Sequence, residues 1–310
     1  MKILVTGAAG LVGSHLARTF ARDHDVLALK RSDLDISDRD AVNRYVSAVK
    51  PSLIVNCAVI QVDESEQNPS KAQAVNVEGP RFLAAAASQW DTEIIHFSSQ
   101  YAFDGEPVGR LPYTIDDEPQ PVNVYGSTKV ASEETVRDAC ARSYIIRTSW
   151  VYGSTKVQSE AAVRDTCARS YIIRTSWVYG SGKNSFLCTV HSDLHSGKRV
   201  RAIVDIWSST TYVEDLIHRI LQILATRRYG TYHVVNEGVC SYYEFALEAG
   251  HLLELNREQL DRLIERVHEG DMKRIARRPR YTPMRCLLSQ QLGLSPMRDW
   301  RAALADYLRT

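Results

Sequence analysis

The sequence predicts an α/β fold: a Rossmann-like, doubly wound parallel sheet with a smaller C-terminal substrate lobe. Three observations predict it. A short β-rich run, Lys2 to Thr6, feeds a glycine-rich turn and then a helical pattern. Further apolar runs alternate with helical segments at a spacing that requires crossovers between parallel strands. A 27-residue helix-then-strand unit is also written twice in tandem, at 124–150 and 151–177, with four differences between the copies. We divide the chain into a dinucleotide-binding domain over 1–180, which includes the repeat, and 181–310, mainly a substrate-binding lobe with some segments returning to the first body.

The first strand runs into Gly7-Ala-Ala-Gly10-Leu11-Val12-Gly13, and helical periodicity continues to about Arg22. Glycines let backbone turn tightly and approach a pyrophosphate, whose charge then meets the positive end of the helix. The spacing G-x-x-G-x-x-G is weak alone, and its place between a strand and a helix is what makes it a cofactor motif. A second strand, Asp25 to Leu29, leads to Lys30, Arg31 and Asp33, where the adenosine ribose is read in such folds. Two cations suit a 2′-phosphate and Asp33 suits a free 2′-hydroxyl, so the cofactor is NADPH or NADH, with a lean to NADPH. Solvated loop charge is the plain alternative. Asp35 and Ile36 suit the adenine edge.

A third strand, Leu53 to Asn56, opens into Cys57-Ala58-Val59, small residues that let backbone pass close to a cofactor. Residues 69 to 88 read as one long helix with Pro69 near its start. A fourth strand, Glu93 to Phe97, delivers Ser99 to the carboxyl end of the sheet, where ligands of such folds bind. Gly105 to Val122, with four prolines, is an irregular loop leading to the first copy of the repeat.

Each copy begins with Tyr-x-x-x-Lys, giving two candidate pairs, Tyr125/Lys129 and Tyr152/Lys156. One helical turn apart, tyrosine and lysine share a face, so the ammonium can act on the phenol. Such a pair standing alone reads as a surface helix turn. With the N-terminal glycines and Ser99, it resembles the extended short-chain dehydrogenase/reductases. The runs SSQYAFDG, PVNVYGSTK, RTSWVYG and RRPRYTP resemble, more closely, the dTDP-4-dehydrorhamnose reductase family. The likeness runs from Met1 to the C-terminus, interrupted by the extra repeat. Gln100 and Ala102 depart from the family's usual Asp and Val.

The resemblance implies reduction of the 4-keto group of a nucleotide-linked 6-deoxy sugar, with Ser99, Tyr125 and Lys129 as the site and Tyr152/Lys156 as the alternative pair. It implies an apolar wall at Trp150 or Trp177, and substrate contacts from Asn184, Arg277 and Arg278. Copy one follows Ser99 at the family's separation. It is therefore expected in the groove, with 151–177 inserted at the strand's carboxyl end beside the substrate mouth and Tyr171 to Thr175 left as a spare strand. The opposite arrangement, with copy two in the groove, stays open. A rival from another class is a non-catalytic nucleotide-binding subunit resembling the methionine adenosyltransferase regulatory subunit.

Past the repeat, Val213 to Ala225 reads as an amphipathic helix, Gly230 to Val235 as a strand, and Ser241 to Leu253 as a helix whose capping box is Ser241 with Glu244. His191 and His195 have no third ligand beside them, so no metal site is assigned. Thirty-eight basic and 37 acidic residues leave a net charge of +1, which argues against a nucleic-acid or anionic-membrane partner. Six cysteines with no C-x-x-C pair suit reduced thiols in a cytoplasm. A homodimer is compatible with the sequence.

Overall fold

A computed structural model describes residues 1–139, 170–182 and 185–309. The strands are β1 (Lys2–Thr6), β2 (Asp25–Leu29), β3 (Leu53–Asn56), β4 (Glu93–Ser99), β5 (Ser170–Thr175), β6 (Val178–Tyr179), β7 (Val200–Ile203), β8 (Trp207–Ser208), β9 (Thr211–Tyr212), β10 (Gly230–His233), β11 (Cys240–Ser241), β12 (Ile264–Val267) and β13 (Tyr281–Thr282). Six of them form one parallel sheet in the order β10-β5-β4-β3-β1-β2. Every residue of β3 and β5 is buried, as strands covered on both faces must be. Ile3, Val5, Val55, Ile95, Ile173 and Tyr232 pack toward α1 (Leu11–Phe20) and the Val213–Thr226 helix. Leu4, Ile54 and Ile94 pack toward the opposite layer.

That opposite layer holds α2 (Arg39–Val49), which the sequence reading does not predict. Only Val42 and Val46, one turn apart, bury in it, and Asp38 caps it by accepting from the Asp40 and Ala41 amides. The helices α3 (Val62–Gln67) and α4 (Pro69–Ala72) follow, then a π-helical segment, Gln73–Glu78, and α5 (Gly79–Gln89). The single helix expected over 69 to 88 is thus interrupted, for Pro80 has no amide to give to the Asn76 carbonyl. The π turn buries Asn76, whose side chain exchanges hydrogen bonds with the Ile60 backbone and donates to Thr128 Oγ1.

The repeat is resolved in a way neither arrangement above anticipates. The helix α6 (Val124–Ala139) comes from copy one, whereas β5, between β4 and β10, comes from copy two. Tyr171 to Thr175 is therefore not a spare strand; it fills the slot between β4 and β10. The chain leaves α6 at Ala139 and re-enters at Ser170, on the amino-terminal edge of the sheet, so the extra sequence is attached away from the substrate mouth and not beside it.

The reason lies in the flanks. Asn123 caps α6, its Oδ1 accepting from the Gly126 amide at 2.8 Å, while Glu66 accepts from the Val124 amide at 2.9 Å. The residue at the corresponding place before copy two is Trp150, which has no oxygen to offer. Such a cap is worth about 1 kcal/mol. Downstream, β5 runs straight into β6, with Val178 paired to Thr211 of β9. Taking the helix from copy one and the strand from copy two keeps both connections.

Residues beyond β6 build the lobe from the parallel pair β7–β12, the small sheet β11-β8-β13, and the helices Phe186–His195, Tyr242–Leu252 and Arg257–Leu263. The capping box of Ser241 and Glu244 is present. β10 and the Val213–Thr226 helix belong to the main sheet and its layer. No described helix is long and apolar enough to cross a membrane.

Candidate active site

The glycine turn is shaped by three different contacts. Gly7 has φ +67°, and a Cβ there would lie 2.5 Å from the Ala58 nitrogen. A Cβ on Gly13 would lie 2.5 Å from the Gly7 carbonyl oxygen, so this glycine lets α1 close on the turn. Gly10 is different: its Cβ would meet only the Gly7 oxygen, at 3.3 Å, leaving the space outside it for a ligand. Gly10 is also the N-cap of α1 and supplies no side-chain cap, so the amides of the first turn, Leu11 to Gly13, point outward as anion donors. The residues fit a dinucleotide pyrophosphate. Gly13→Val should abolish cofactor binding in a protein that still folds; unchanged affinity in a fluorescence titration would remove this role from the turn.

At the end of β2, Lys30 and Arg31 are exposed, and Arg31 reaches Asp35 at 3.2 Å. Asp33 accepts from the Lys30 amide and so shapes the turn. Hydrogen bonds from Ser37, then Arg31, hold the Asp35 carboxyl below its ordinary range against the opposing effect of burial. The Ile36 side chain is buried against Gly79. Cys57 and Ala58 approach the glycine turn by their backbone.

Ser99 and Tyr125 come together where β4 ends beside α6, and Lys129, one helical turn further along, places its ammonium beside His96 and Cys57. Gly126 makes this possible, because a Cβ there would stand 2.2 Å from the Tyr101 carbonyl oxygen. Ser99 Oγ donates to Gln100 Oε1 at 2.9 Å and lies against the Tyr125 hydroxyl. Tyr101 meets Tyr125 edge to face at 5.6 Å. Burial pushes the Tyr125 phenol up to about 12, with Ser99 opposing. Burial takes Lys129 down to about 8, with Glu133 and Cys57 opposing.

Beneath Lys129 runs a polar chain that sequence reasoning missed. Thr6 Oγ1 donates to Asn56 Oδ1 at 2.7 Å, Asn56 Nδ2 lies 3.2 Å from His96 Nδ1, and His96 Nε2 lies 2.9 Å from Ser132 Oγ. Ser132 in turn donates to the Lys129 carbonyl at 2.7 Å. With Asn56 donating to Nδ1, the His96 proton sits on Nε2. Burial first, then Lys129, holds that imidazole neutral, well below its usual range. Three adjacent strands thereby fix the turn of α6 that carries Lys129, whose Nζ lies 3.5 Å from His96 Nε2. One turn further along α6, Glu133 takes two hydrogen bonds from Arg174 of β5, at 2.7 and 2.6 Å, and one from Arg137. Histidine inside the apolar run of β4 and asparagine ending that of β3 were the available signals.

Across the mouth, Trp177 has φ +41° and packs on Tyr242 at 4.0 Å between ring centres. With Gln100, Tyr101, Arg274 and Arg278 it lines the entrance. Arg278 donates to Asp63 of α3 at 2.8 Å and lies over the Tyr101 ring. Arg277 is exposed, 3.7 Å from Glu106. Both arginines line an adjoining cavity of about 560 Å³ with Lys273, Arg274 and Arg280, and with Asp104, Glu106 and Glu269 as its carboxylates. Trp150, Tyr152, Lys156 and Asn184 lie outside the described residues. His191 stacks edge-on against Tyr307.

A family model described as RmlD substrate binding domain matches the chain in two overlapping stretches, 1–156 and 151–310. The chain belongs to this family. The overlap opens copy two of the repeat. A dTDP-4-dehydrorhamnose reductase of Mycolicibacterium smegmatis is 35% identical over 98% of this chain and 84% of its own length. One from Mycobacterium tuberculosis is 32% identical over 99% of this chain and 92% of its own. Among solved structures, a dTDP-4-dehydrorhamnose reductase from Clostridium acetobutylicum superposes with a TM-score of 0.83 at 30% identity, covering 100% of this chain and 99% of that one. One from Bacillus anthracis, in complex with NADP, gives 0.82 at 26% identity, covering 99% and 98%.

Proposed function

We propose that the chain is an NAD(P)H-dependent reductase of the 4-keto group of a nucleotide-linked 6-deoxy sugar, converting dTDP-4-dehydro-L-rhamnose to dTDP-L-rhamnose or acting on a close relative. The observation that carries this reading is the meeting of Ser99 and the Tyr125 hydroxyl at the carboxyl end of β4, with Lys129 one helical turn along α6, Cys57 at the end of the neighbouring β3 and the glycine turn one strand beyond that. Bound there, the nicotinamide supplies a hydride to the carbonyl carbon. Gly7, Gly10, Leu11, Val12 and Gly13 hold the pyrophosphate, and Cys57, Ala58 and Val59 pass along it. Lys30 and Arg31 favour NADPH, since Asp33 is already engaged by the Lys30 amide.

Ser99 orients the carbonyl oxygen, which requires its proton to turn from Gln100 to the substrate. Tyr125 then donates its phenolic proton to that oxygen. With its pKa raised it stays protonated at neutral pH, the state a donor needs. Lys129 stabilises the phenolate left behind, and the chain through His96 keeps it in place. Trp177 forms the apolar wall for the deoxysugar, and Arg278 and Arg277 meet the diphosphate from the basic cavity. Residues 1–180 bind the dinucleotide and 181–310 mainly the sugar nucleotide. The thiols of Cys57, Cys188, Cys240 and Cys286 are free, which suits a cytoplasmic enzyme.

The test is oxidation of NADPH that depends on a 4-keto-6-deoxy sugar nucleotide. Nucleotide binding without turnover would instead fit a regulatory subunit. A pH dependence follows as well. Lys129 is depressed to about 8, so its ammonium is present below that pH and lost as pH rises through it. The kcat/KM profile, which reports free-enzyme groups, should therefore fall above about pH 8. A profile flat to pH 10 would show that the charge on Lys129 is not needed.

A further inference from the structure

A second cavity, of about 340 Å³, lies beyond the end of β10, and none of its lining residues lines the catalytic mouth. Its wall includes Arg219 of the Val213–Thr226 helix, 7% exposed. Arg219 donates one bond, from Nη2 to the Ser295 carbonyl, while its Nε is buried without a partner. No carboxylate among the described residues pairs with it. The cavity's own carboxylate, Glu237, is exposed and makes no ion pair with Arg219. Of the other polar groups of the wall, Ser289 is engaged with Cys286 and Asn236 with the Tyr212 amide and Asp215, while His233 Nδ1 is buried without a partner. A buried guanidinium left with unused donors is costly, and a side chain kept for packing alone would be apolar or paired. The remaining wall is largely apolar, with Val235, Met284, Leu294 and Met297.

We propose that this cavity is a binding site for a small carboxylate with an apolar body, its anionic end held by the Arg219 fork and its body against the methionines. Guanidinium and carboxylate match in charge and hydrogen-bonding pattern, so Arg219 in the wall selects such a group over a neutral one.

The test is calorimetric titration of the full chain with benzoate, inorganic phosphate and benzyl alcohol in parallel. Benzoate should bind, and benzyl alcohol, which lacks the charge, should not. Arg219→Met keeps the side-chain length and should weaken benzoate at least tenfold. Val239→Trp, which fills the cavity and leaves Arg219 alone, should abolish binding and carries the test if the first variant does not fold. Neither residue is at the reductase site, so NADPH oxidation in each variant serves as the folding control. Phosphate binding without benzoate would overturn the apolar half of the proposal. Absence of benzoate binding, or equal affinity in a folded Arg219→Met protein, would overturn the whole.

Discussion

Tyr125→Phe should reduce keto-sugar turnover by on the order of 10² to 10⁴, the usual worth of a positioned general acid, while Tyr152→Phe should leave it within about twofold. The substitution removes one oxygen and keeps the ring that meets Tyr101 edge to face, so α6 and its packing should survive. What is lost is the hydroxyl that Ser99 lies against. Copy two carries the same Tyr-x-x-x-Lys, and every residue on the buried face of α6 recurs in it: Gly126, Thr128, Lys129, Ser132, Glu133 and Val136 have Gly153, Thr155, Lys156, Ser159, Glu160 and Val163 as counterparts. The four differences fall at Ala131, Glu134, Thr135 and Ala139, none of them buried. Side-chain packing therefore does not choose between the helices; Asn123 and Glu66 at the helix start do. If Tyr152→Phe alone stops the reaction, the second helix holds the groove, and if neither variant is impaired, a phenolic donor is not part of the chemistry.

Much of the framework was legible because it rests on local pattern. Strands such as Lys2–Thr6 and Leu53–Asn56 are continuous apolar runs bounded by turn residues, and they appear at the predicted limits. The capping box at Ser241 is likewise a four-residue signal. What could not be read depends on partners distant in sequence. β7 and β12 are short, and their pairing joins Val200 to Ile264. The α2 segment buries only two valines in a largely charged stretch, a signal easily taken for a loop. In the site, Tyr125 and Lys129 announced themselves by spacing, whereas His96, Ser132 and Asn56 act only once three strands and α6 lie side by side. Arg278 pointed to an anion in the sequence and in the structure is also tied to Asp63. The mixed use of the repeat is not legible in the sequence, because the two copies differ at four positions only. Helix and strand occupy separate slots with separate flanking constraints, so the chain could take one from each.

That division makes a second strong prediction, on the strand. Arg174→Met should destabilise the protein by about 3–5 kcal/mol, the cost of stripping one partner from a buried ion pair, and Arg147→Met by less than about 0.5 kcal/mol. Arg174 and Glu133 are almost fully buried, with Arg137 as a second cation; burial raises the Glu133 carboxyl, and Arg174, then Arg137, outweigh it and hold it at about 2. Without Arg174 that carboxylate loses its two shortest hydrogen bonds, and Phe103 and His233 lose the guanidinium beside them. Arg147 occupies the same place in copy one, in an identical run from Ser143 to Trp150, but lies outside the described residues. Denaturant unfolding of the two variants compares strands of the same sequence, so the difference reports which copy is in the slot and nothing about propensity. A third chain sharpens the comparison: deleting 140–166 joins Ala139 to Cys167 and restores a single unit. It should fold and turn over like the full chain, since α6 and β5 are untouched, and Arg174→Met should cost it the same amount. Equal penalties from Arg147→Met and Arg174→Met in the full chain would mean that both strands compete for the slot, and a penalty from Arg147→Met alone would put copy one's strand between β4 and β10.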